Sequence, residues 1–165
     1  MTAPLTRAAV FDILNHVMDP EVPVISVVEL GIVRDAVVSG DTVRVTVTPT
    51  YSGCPAMREI EDDIRSALVA NGVHDVIVDT VFAPAWTTDW IGPEAREKLR
   101  VYGIAPPGKA EPQGLVTLSR SRVPVACPFC GSHVTQLQSE FGSTACKAIH
   151  VCRSCLQPFD EFKAF

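Results

Sequence analysis

The chain has 165 residues, room for one domain and a small appendix. Apolar residues make up 47% and charged residues 20%, which excludes a mainly disordered chain. No uncharged apolar run approaches the about 18 residues needed to cross a bilayer. Asp12 and His16 interrupt the N-terminal segment where a signal peptide needs an unbroken apolar stretch, so a cytoplasmic location is expected.

In chain order, Leu5, Ala9, Ile13 and Val17 recur four apart and predict a first helix over Leu5–Val17, stopped by Asp19-Pro20. Residues 21–30 read as irregular. Ile32–Val38 and Thr42–Thr48 are β-rich arms of a hairpin around Ser39-Gly40-Asp41, with Val43, Val45 and Val47 on one face. After a loop, Pro55 opens a helix to Asn71, with Met57, Ile60, Ile64, Ala67 and Leu68 as its buried stripe. Val73–Phe82 predicts a third strand, the segment after it a loop with Trp86 and Trp90, and Pro93–Tyr102 a last helix stopped by Gly103. The expected fold is α/β (α+β): a small mixed sheet packed by helices in the order α-β-β-α-β-α, followed by a short β-rich zinc ribbon. Ala105–Gly114 holds three prolines and two glycines and reads as a linker. The expected organisation is residues 1–104, linker 105–114 and ribbon 115–165.

Five of the six cysteines fall in the last 40 residues. Cys127-x-x-Cys130 and Cys152-x-x-Cys155, separated by 21 residues, read as two knuckles of a tetrahedral Zn²⁺ site. A redox disulfide and a four-thiolate iron–sulfur centre are the competing readings. Zinc is favoured because so small a tail lacks a core, and metal binding would supply its folding energy. Gly131 follows the first knuckle and suits a tight turn; Leu156 follows the second, a less standard residue there. Cys146 reads either as a small buried residue or as an extra thiolate. His133 and His150 are expected on the surface or in hydrogen bonds, since four cysteines complete the site.

Cys54 stands alone. The reading places it at the N-cap of the second helix, where free N–H groups and the helix dipole favour a thiolate. Gly53 would let the backbone approach closely, Ser52 and Tyr51 offer hydroxyls, and the Asp19-Pro20-Glu21 loop is a neighbour to be tested. Trp86 and Trp90 read as packing anchors, with a lid or client contact as the alternative. Thr46, Thr48 and Thr50 line either an exposed strand face or a pocket near Cys54. An enzyme using Cys54 as nucleophile would need a base; His74 lies beyond a helix about 25 Å long, which leaves His16. A nucleic-acid role is disfavoured because residues 1–105 hold 8 Lys+Arg against 15 Asp+Glu and the tail offers only a thin basic set.

Residues from about 9 to 105 resemble the SufT-like family of iron–sulfur assembly domains. The matching pieces are Asp19-Pro20-Glu21-Val22-Pro23, Glu29-Leu30-Gly31-Ile32-Val33, Ser52-Gly53-Cys54-Pro55, Ala85-Trp86-Thr87-Thr88-Asp89-Trp90, and Ala95-Arg96 with Lys98-Leu99. The tail, with Phe141–Lys147 between the knuckles and the ending Pro158–Lys163, resembles the PaaD-like accessory proteins of the phenylacetyl-CoA ring epoxidase system. The resemblance implies a non-enzymatic maturation factor that assists iron or iron–sulfur cluster insertion. Cys54 would be its transient ligand, supported by Asp19, Glu21, Ser52 and Gly53. The implied partners are the reductase, which carries a [2Fe–2S] centre, the di-iron oxygenase component and general iron–sulfur assembly proteins. One thiolate does not hold a cluster alone, so a second chain, as in a homodimer, or the client would complete the ligands. The alternative is a structural adaptor within the epoxidase complex.

Overall fold

The computed structural model describes residues 5–109 and 124–165. The chain divides into two compact units, Met1–Gly92 and Pro93–Phe165. Residues 110–114 of the expected linker and residues 115–123 at the expected start of the ribbon lie outside the described residues.

The first unit contains α1 (Arg7–Leu14), β1 (Val33–Ser39), β2 (Thr42–Val47), α2 (Ala56–Ala70) and β3 (Asp75–Thr80). The Thr6 hydroxyl caps α1 by accepting the Ala9 N–H at 3.2 Å. The helix ends three residues before the expected Val17. There the N–H groups of His16 and Val17 donate to carbonyls three residues back, a tightened closing turn. β1 and β2 form the expected antiparallel hairpin, and β2 pairs in parallel with β3, giving the order β1-β2-β3. A parallel neighbour needs a crossover, which α2 supplies. β3 is shorter than expected because its ladder is limited to the six residues of β2. Val43, Val45 and Val47 are buried on alternate positions of β2. α2 buries Ala56, Ile60, Ile64 and Leu68, with Met57 and Ala67 half-buried at the margin.

Residues 21–30, read as irregular, belong to a tied-down loop that begins at Asp19. Asp19 is buried, and its Oδ1 accepts the N–H groups of Glu21 at 2.9 Å and Val22 at 2.8 Å. Ser26 and Glu29 exchange side-chain-to-backbone hydrogen bonds at 3.0 and 3.1 Å, the reciprocal pattern of a capping box. Trp86 is buried, and its indole N–H donates to the Leu30 carbonyl at 2.9 Å. Gly31 has φ +78°, and a Cβ there would come within 3.1 Å of Trp90 Cβ. A bulge at the start of β1 sets Arg34 outside the ladder, its guanidinium stacked 3.6 Å from the centre of the Trp90 ring. Trp86 and Trp90 are thus packing anchors of this loop.

The second unit holds α3 (Pro93–Tyr102), β4 (Ile104–Ala105), β5 (Thr135–Ser139), β6 (Lys147–Cys152) and β7 (Pro158–Phe162). Gly103 ends α3 at φ +95°, as expected. The sheet order is β4-β7-β6-β5, with β4 parallel to β7. Ile104 and Ala105, either side of the expected boundary, are therefore a sheet edge. Ala105, Cys127, Cys152 and Phe159 form a small core. The whole is a mixed α+β protein with three helices and two small mixed sheets among the described residues.

Trp86→Phe keeps an aromatic ring but loses the indole N–H and strands the buried Leu30 carbonyl. It should lower the unfolding free energy by about 1–3 kcal/mol, read by denaturant titration.

Candidate functional site

The four knuckle cysteines converge. The sulfurs of Cys127, Cys130, Cys152 and Cys155 all lie within 4.8 Å of one another, with Cys127–Cys155 at 3.7 Å and Cys130–Cys152 at 3.6 Å. A tetrahedral zinc with bonds of about 2.3 Å sets its sulfurs about 3.8 Å apart, so the donor set fits such an ion. The two knuckles repeat one backbone pattern. The N–H of Cys127 donates to the Ser132 carbonyl, and the N–H of Cys152 donates to the Gln157 carbonyl, each five residues on. Gly131 sits at φ +74° and Leu156 at φ +64°, so the leucine takes the left-handed conformation that glycine takes in the first knuckle. The residue that looked less standard is thus forced into the same turn by the same sulfur geometry. The hydroxyls of Ser132 and Ser154, 2.7 Å apart, join the two loops.

The thiols are inequivalent. The Cys155 N–H, and then that of Ser154, lower the Cys152 pKa to about 6 against the effect of desolvation. The Gln157 N–H acts to lower Cys155, yet desolvation and the sulfurs of Cys152, Cys130 and Cys127 push it up to about 12. Cys130 is also raised: the Ser132 N–H is outweighed by desolvation and by Cys152 and Cys127. Four thiolates this close repel one another unless a cation sits among them. Cys146 is buried outside this group, its sulfur 3.0 Å from the Thr144 hydroxyl. His133 is exposed with Nδ1 donating to the Pro124 carbonyl, and buried His150 bonds through Nε2 to Glu161 at 2.7 Å. Neither histidine joins the sulfurs.

Cys54 is half-buried in the first unit. It precedes the N-cap, which is Pro55 and not Cys54 as the sequence suggested. The Pro55 backbone is already helical, and the Met57 N–H donates to the Cys54 carbonyl at 3.3 Å, so the regular helix starts one residue later. Gly53 is needed for its φ of +84°; nothing stands within 4 Å of where its Cβ would be, so it serves the turn and not a close approach. The loop carrying Cys54 leaves the carboxyl end of β2. The segment after β3 leaves the same end, since the Val81 N–H donates to the Val47 carbonyl at 2.8 Å. Ligands in open α/β sheets gather at such ends of parallel strands. Phe82 stands 65% exposed on that second segment. Thr48, at the end of β2, is 1% exposed, and its hydroxyl has no hydrogen-bond partner.

Among the supporting residues, Asp19 spends one carboxylate oxygen on its own loop, Glu21 is half-buried beside it, and Ser52 is exposed. His74 precedes β3 at the end opposite the Cys54 loop. His16 is exposed with Nδ1 donating to the Asp12 carbonyl at 2.8 Å. The orphan hydroxyl of Thr48 and the strained Leu156 were not legible in composition or periodicity. A left-handed residue one step beyond each C-x-x-C is the local signal that points to the second.

The fold and its cysteine sites define a small α+β unit followed by a four-cysteine β ribbon able to hold a metal ion. The family described as "Iron-sulfur cluster assembly protein" matches residues 7–79, and the "PaaD zinc beta ribbon domain" matches residues 111–163. The chain belongs to the same family as an Escherichia coli (strain K12) protein named as one of the subunits of a "Putative 1,2-phenylacetyl-CoA epoxidase", to which it is 45% identical over 98% of this chain and 94% of that one. It is also 36% identical to a Porphyromonas gingivalis "Fe-S protein maturation auxiliary factor", over 57% of this chain and 90% of that protein. Among solved structures, a conserved hypothetical protein from Thermotoga maritima shares 35% identity over 60% of this chain and 98% of its own, with TM-score 0.52. A domain of unknown function from Bacillus anthracis shares 28% identity over 56% and 90%, with TM-score 0.53.

Two outcomes are expected of the four-sulfur site. Cys130 and Cys155 are protonated at neutral pH, so metal binding at pH 7 should release at least two protons per ion. Calorimetry in buffers of different ionisation enthalpy measures this, and affinity should fall as pH falls. Leu156→Gly removes a left-handed penalty of about 1–2 kcal/mol against a glycine entropy cost of about 0.5–1 kcal/mol. The metal-loaded variant should match or exceed the parent in stability, by up to about 1.5 kcal/mol in denaturant.

Proposed function

We propose that the protein is a cytoplasmic maturation factor of a phenylacetyl-CoA epoxidase system, delivering iron or an iron–sulfur cluster to a client component through Cys54. The observation that carries this reading is the setting of Cys54: a half-buried cysteine at the carboxyl end of a parallel strand pair, before a helix, inside the segment that matches the iron–sulfur assembly family. Cargo bound by one thiolate must be completed by another ligand, from a second copy of the chain or from the client. Incomplete coordination suits transfer, because the cargo leaves by exchanging few bonds. The buried, unpartnered Thr48 hydroxyl at the end of β2 is a polar group near the start of the same loop in sequence. The client favoured is the reductase component with its [2Fe–2S] centre, ahead of the di-iron oxygenase.

The ribbon takes Zn²⁺ as a resident structural ion, held by Cys127, Cys130, Cys152 and Cys155, and the ion would neutralise the four sulfurs and supply the small unit's core. Cys146, buried apart from them, is assigned no transfer role. The net charge of −5 and an acidic first unit fit protein partners better than nucleic acid. A second reading, a stable adaptor within the epoxidase complex, draws on the naming of the Escherichia coli relative as a component of such an enzyme. A stoichiometric complex surviving gel filtration would favour it.

Anaerobic reconstitution with iron and sulfide, followed by transfer to apo-reductase, tests the proposal. Cys54→Ala should fold and keep its zinc, but lose at least about 90% of cluster transfer, an effect of about tenfold or more. Cys146→Ala should transfer normally. Full transfer by Cys54→Ala would sink the proposal.

A further inference from the structure

We infer that Cys130 is an oxidation site for hydrogen peroxide, closing a reversible disulfide with Cys152 of the opposite knuckle and so opening the metal site. Such a switch belongs to the ribbon alone and is separate from delivery through Cys54; only the loss of metal rests on the zinc reading.

The four sulfurs differ in access. Cys127 and Cys152 are 2% and 0% exposed and belong to the small core with Ala105 and Phe159. Cys155 is half-buried, and Cys130 alone of the four is exposed. Peroxide therefore meets Cys130 first, because oxidation requires an approachable sulfur. Position fixes the sulfur that answers. Cys152 Sγ lies 3.6 Å from Cys130 Sγ, and Cys127 meets Cys155 in the same crosswise manner at 3.7 Å. The two loops that carry these pairs are clamped together by the Ser132–Ser154 hydroxyls at 2.7 Å and by the Arg153 N–H, which donates to the Val134 carbonyl at 2.8 Å. Closing the crosswise gap to a bond of about 2.05 Å is then a matter of side-chain rotation on a held backbone. A bond between residues 22 apart also constrains the unfolded chain more than one inside a C-x-x-C, so it keeps more of the ribbon folded when the ion leaves. The sequence offered a disulfide within either knuckle; folding supplies a partner in the opposite one.

The chemistry balances on two sulfurs and one peroxide. The Cys130 thiolate attacks a peroxide oxygen: the S–O bond forms, the O–O bond breaks, and hydroxide leaves a sulfenic acid behind. The Cys152 thiolate then attacks the Cys130 sulfur: the S–S bond forms, the S–O bond breaks, and a second hydroxide leaves. The two sulfurs give up two electrons, the peroxide accepts them, and two protons from the buffer turn both hydroxides into water. Two of the four ligands are spent by this bond, and the two that remain do not complete a tetrahedral site. A dithiol such as dithiothreitol returns both electrons and restores the four thiols.

The test treats the zinc-loaded full chain, and the same chain stripped of metal, with hydrogen peroxide. A chromogenic chelator follows zinc release, and mass spectrometry after trypsin maps the disulfides. Trypsin cuts after Arg153, so Cys152 falls in peptide 148–153 and Cys155 in 154–163, while Cys127, Cys130 and Cys146 share 123–147. The first bond should link 123–147 to 148–153, fragmentation should place it on Cys130, and about one zinc should leave per bond formed. Cys146→Ala should give the same link, which excludes the third cysteine of that peptide, and so should Cys54→Ala. Limiting N-ethylmaleimide should label Cys130 of the zinc-loaded chain at least about tenfold faster than Cys127 or Cys152. A first bond inside a knuckle, seen as 148–153 linked to 154–163 or as a closed ring within 123–147, would overturn the pairing. Labelling of Cys127 or Cys152 as fast as Cys130, or zinc retained with all four thiols unreacted in peroxide, would overturn the oxidation site. A chain that takes up no zinc yet forms the link would fail the zinc reading and leave the pairing standing.

Discussion

Four sulfur atoms crowded within a few ångströms are the constraint on which the second unit depends. Two of the ligands, Cys127 and Cys152, are also members of its small apolar core, next to Ala105 and Phe159. The metal site and the core are therefore one object. A unit this small has too little apolar area to fold on burial alone, and an ion that turns mutual repulsion of thiolates into attraction supplies the difference. The same requirement dictates both knuckle backbones, because each must wrap its sulfurs with N–H donors and then reverse direction. Gly131 does so freely, and Leu156 does so under strain.

The first unit solves a different problem by other means. It has no metal cluster among its described residues, and its stability comes from apolar alternation on β2 and the stripe of α2. Its polar loops are consumed by their own backbone. Asp19, Ser26 and Glu29 bond to nearby N–H groups, and Trp86 to the Leu30 carbonyl. Several of the motifs in the resemblance are thus part of the scaffold of their own loops. The loop between β2 and α2, which carries Cys54, and the segment carrying Phe82 leave the same end of the parallel pair.

The division of labour follows from these two solutions. Cys127, Cys130, Cys152 and Cys155 are gathered into one group, and Cys54 stands half-buried outside it in the first unit. The acidic first unit carries Cys54, and the second unit carries the four-sulfur group with exposed apolar residues such as Phe129 and Leu156 on its loops.

Much of this was written in local sequence. An apolar stripe spaced by three and four marked α2, alternation marked β2, and paired C-x-x-C motifs named the four ligands, because each signal lies within one element or one turn. The helix α3 and its Gly103 stop were readable for the same reason. Tertiary structure decided the rest. Only folding could show that β3 lies parallel to β2, that Ile104 and Ala105 join the ribbon sheet, and that Cys146 stays apart from the other tail cysteines. Only folding could show that Trp86 and Trp90 close over Gly31, or that a leucine takes a glycine's conformation. These are contacts between residues far apart in the chain, or conformations imposed by them. Periodicity and composition report on neighbours along the backbone, and carry no record of which distant surfaces will meet.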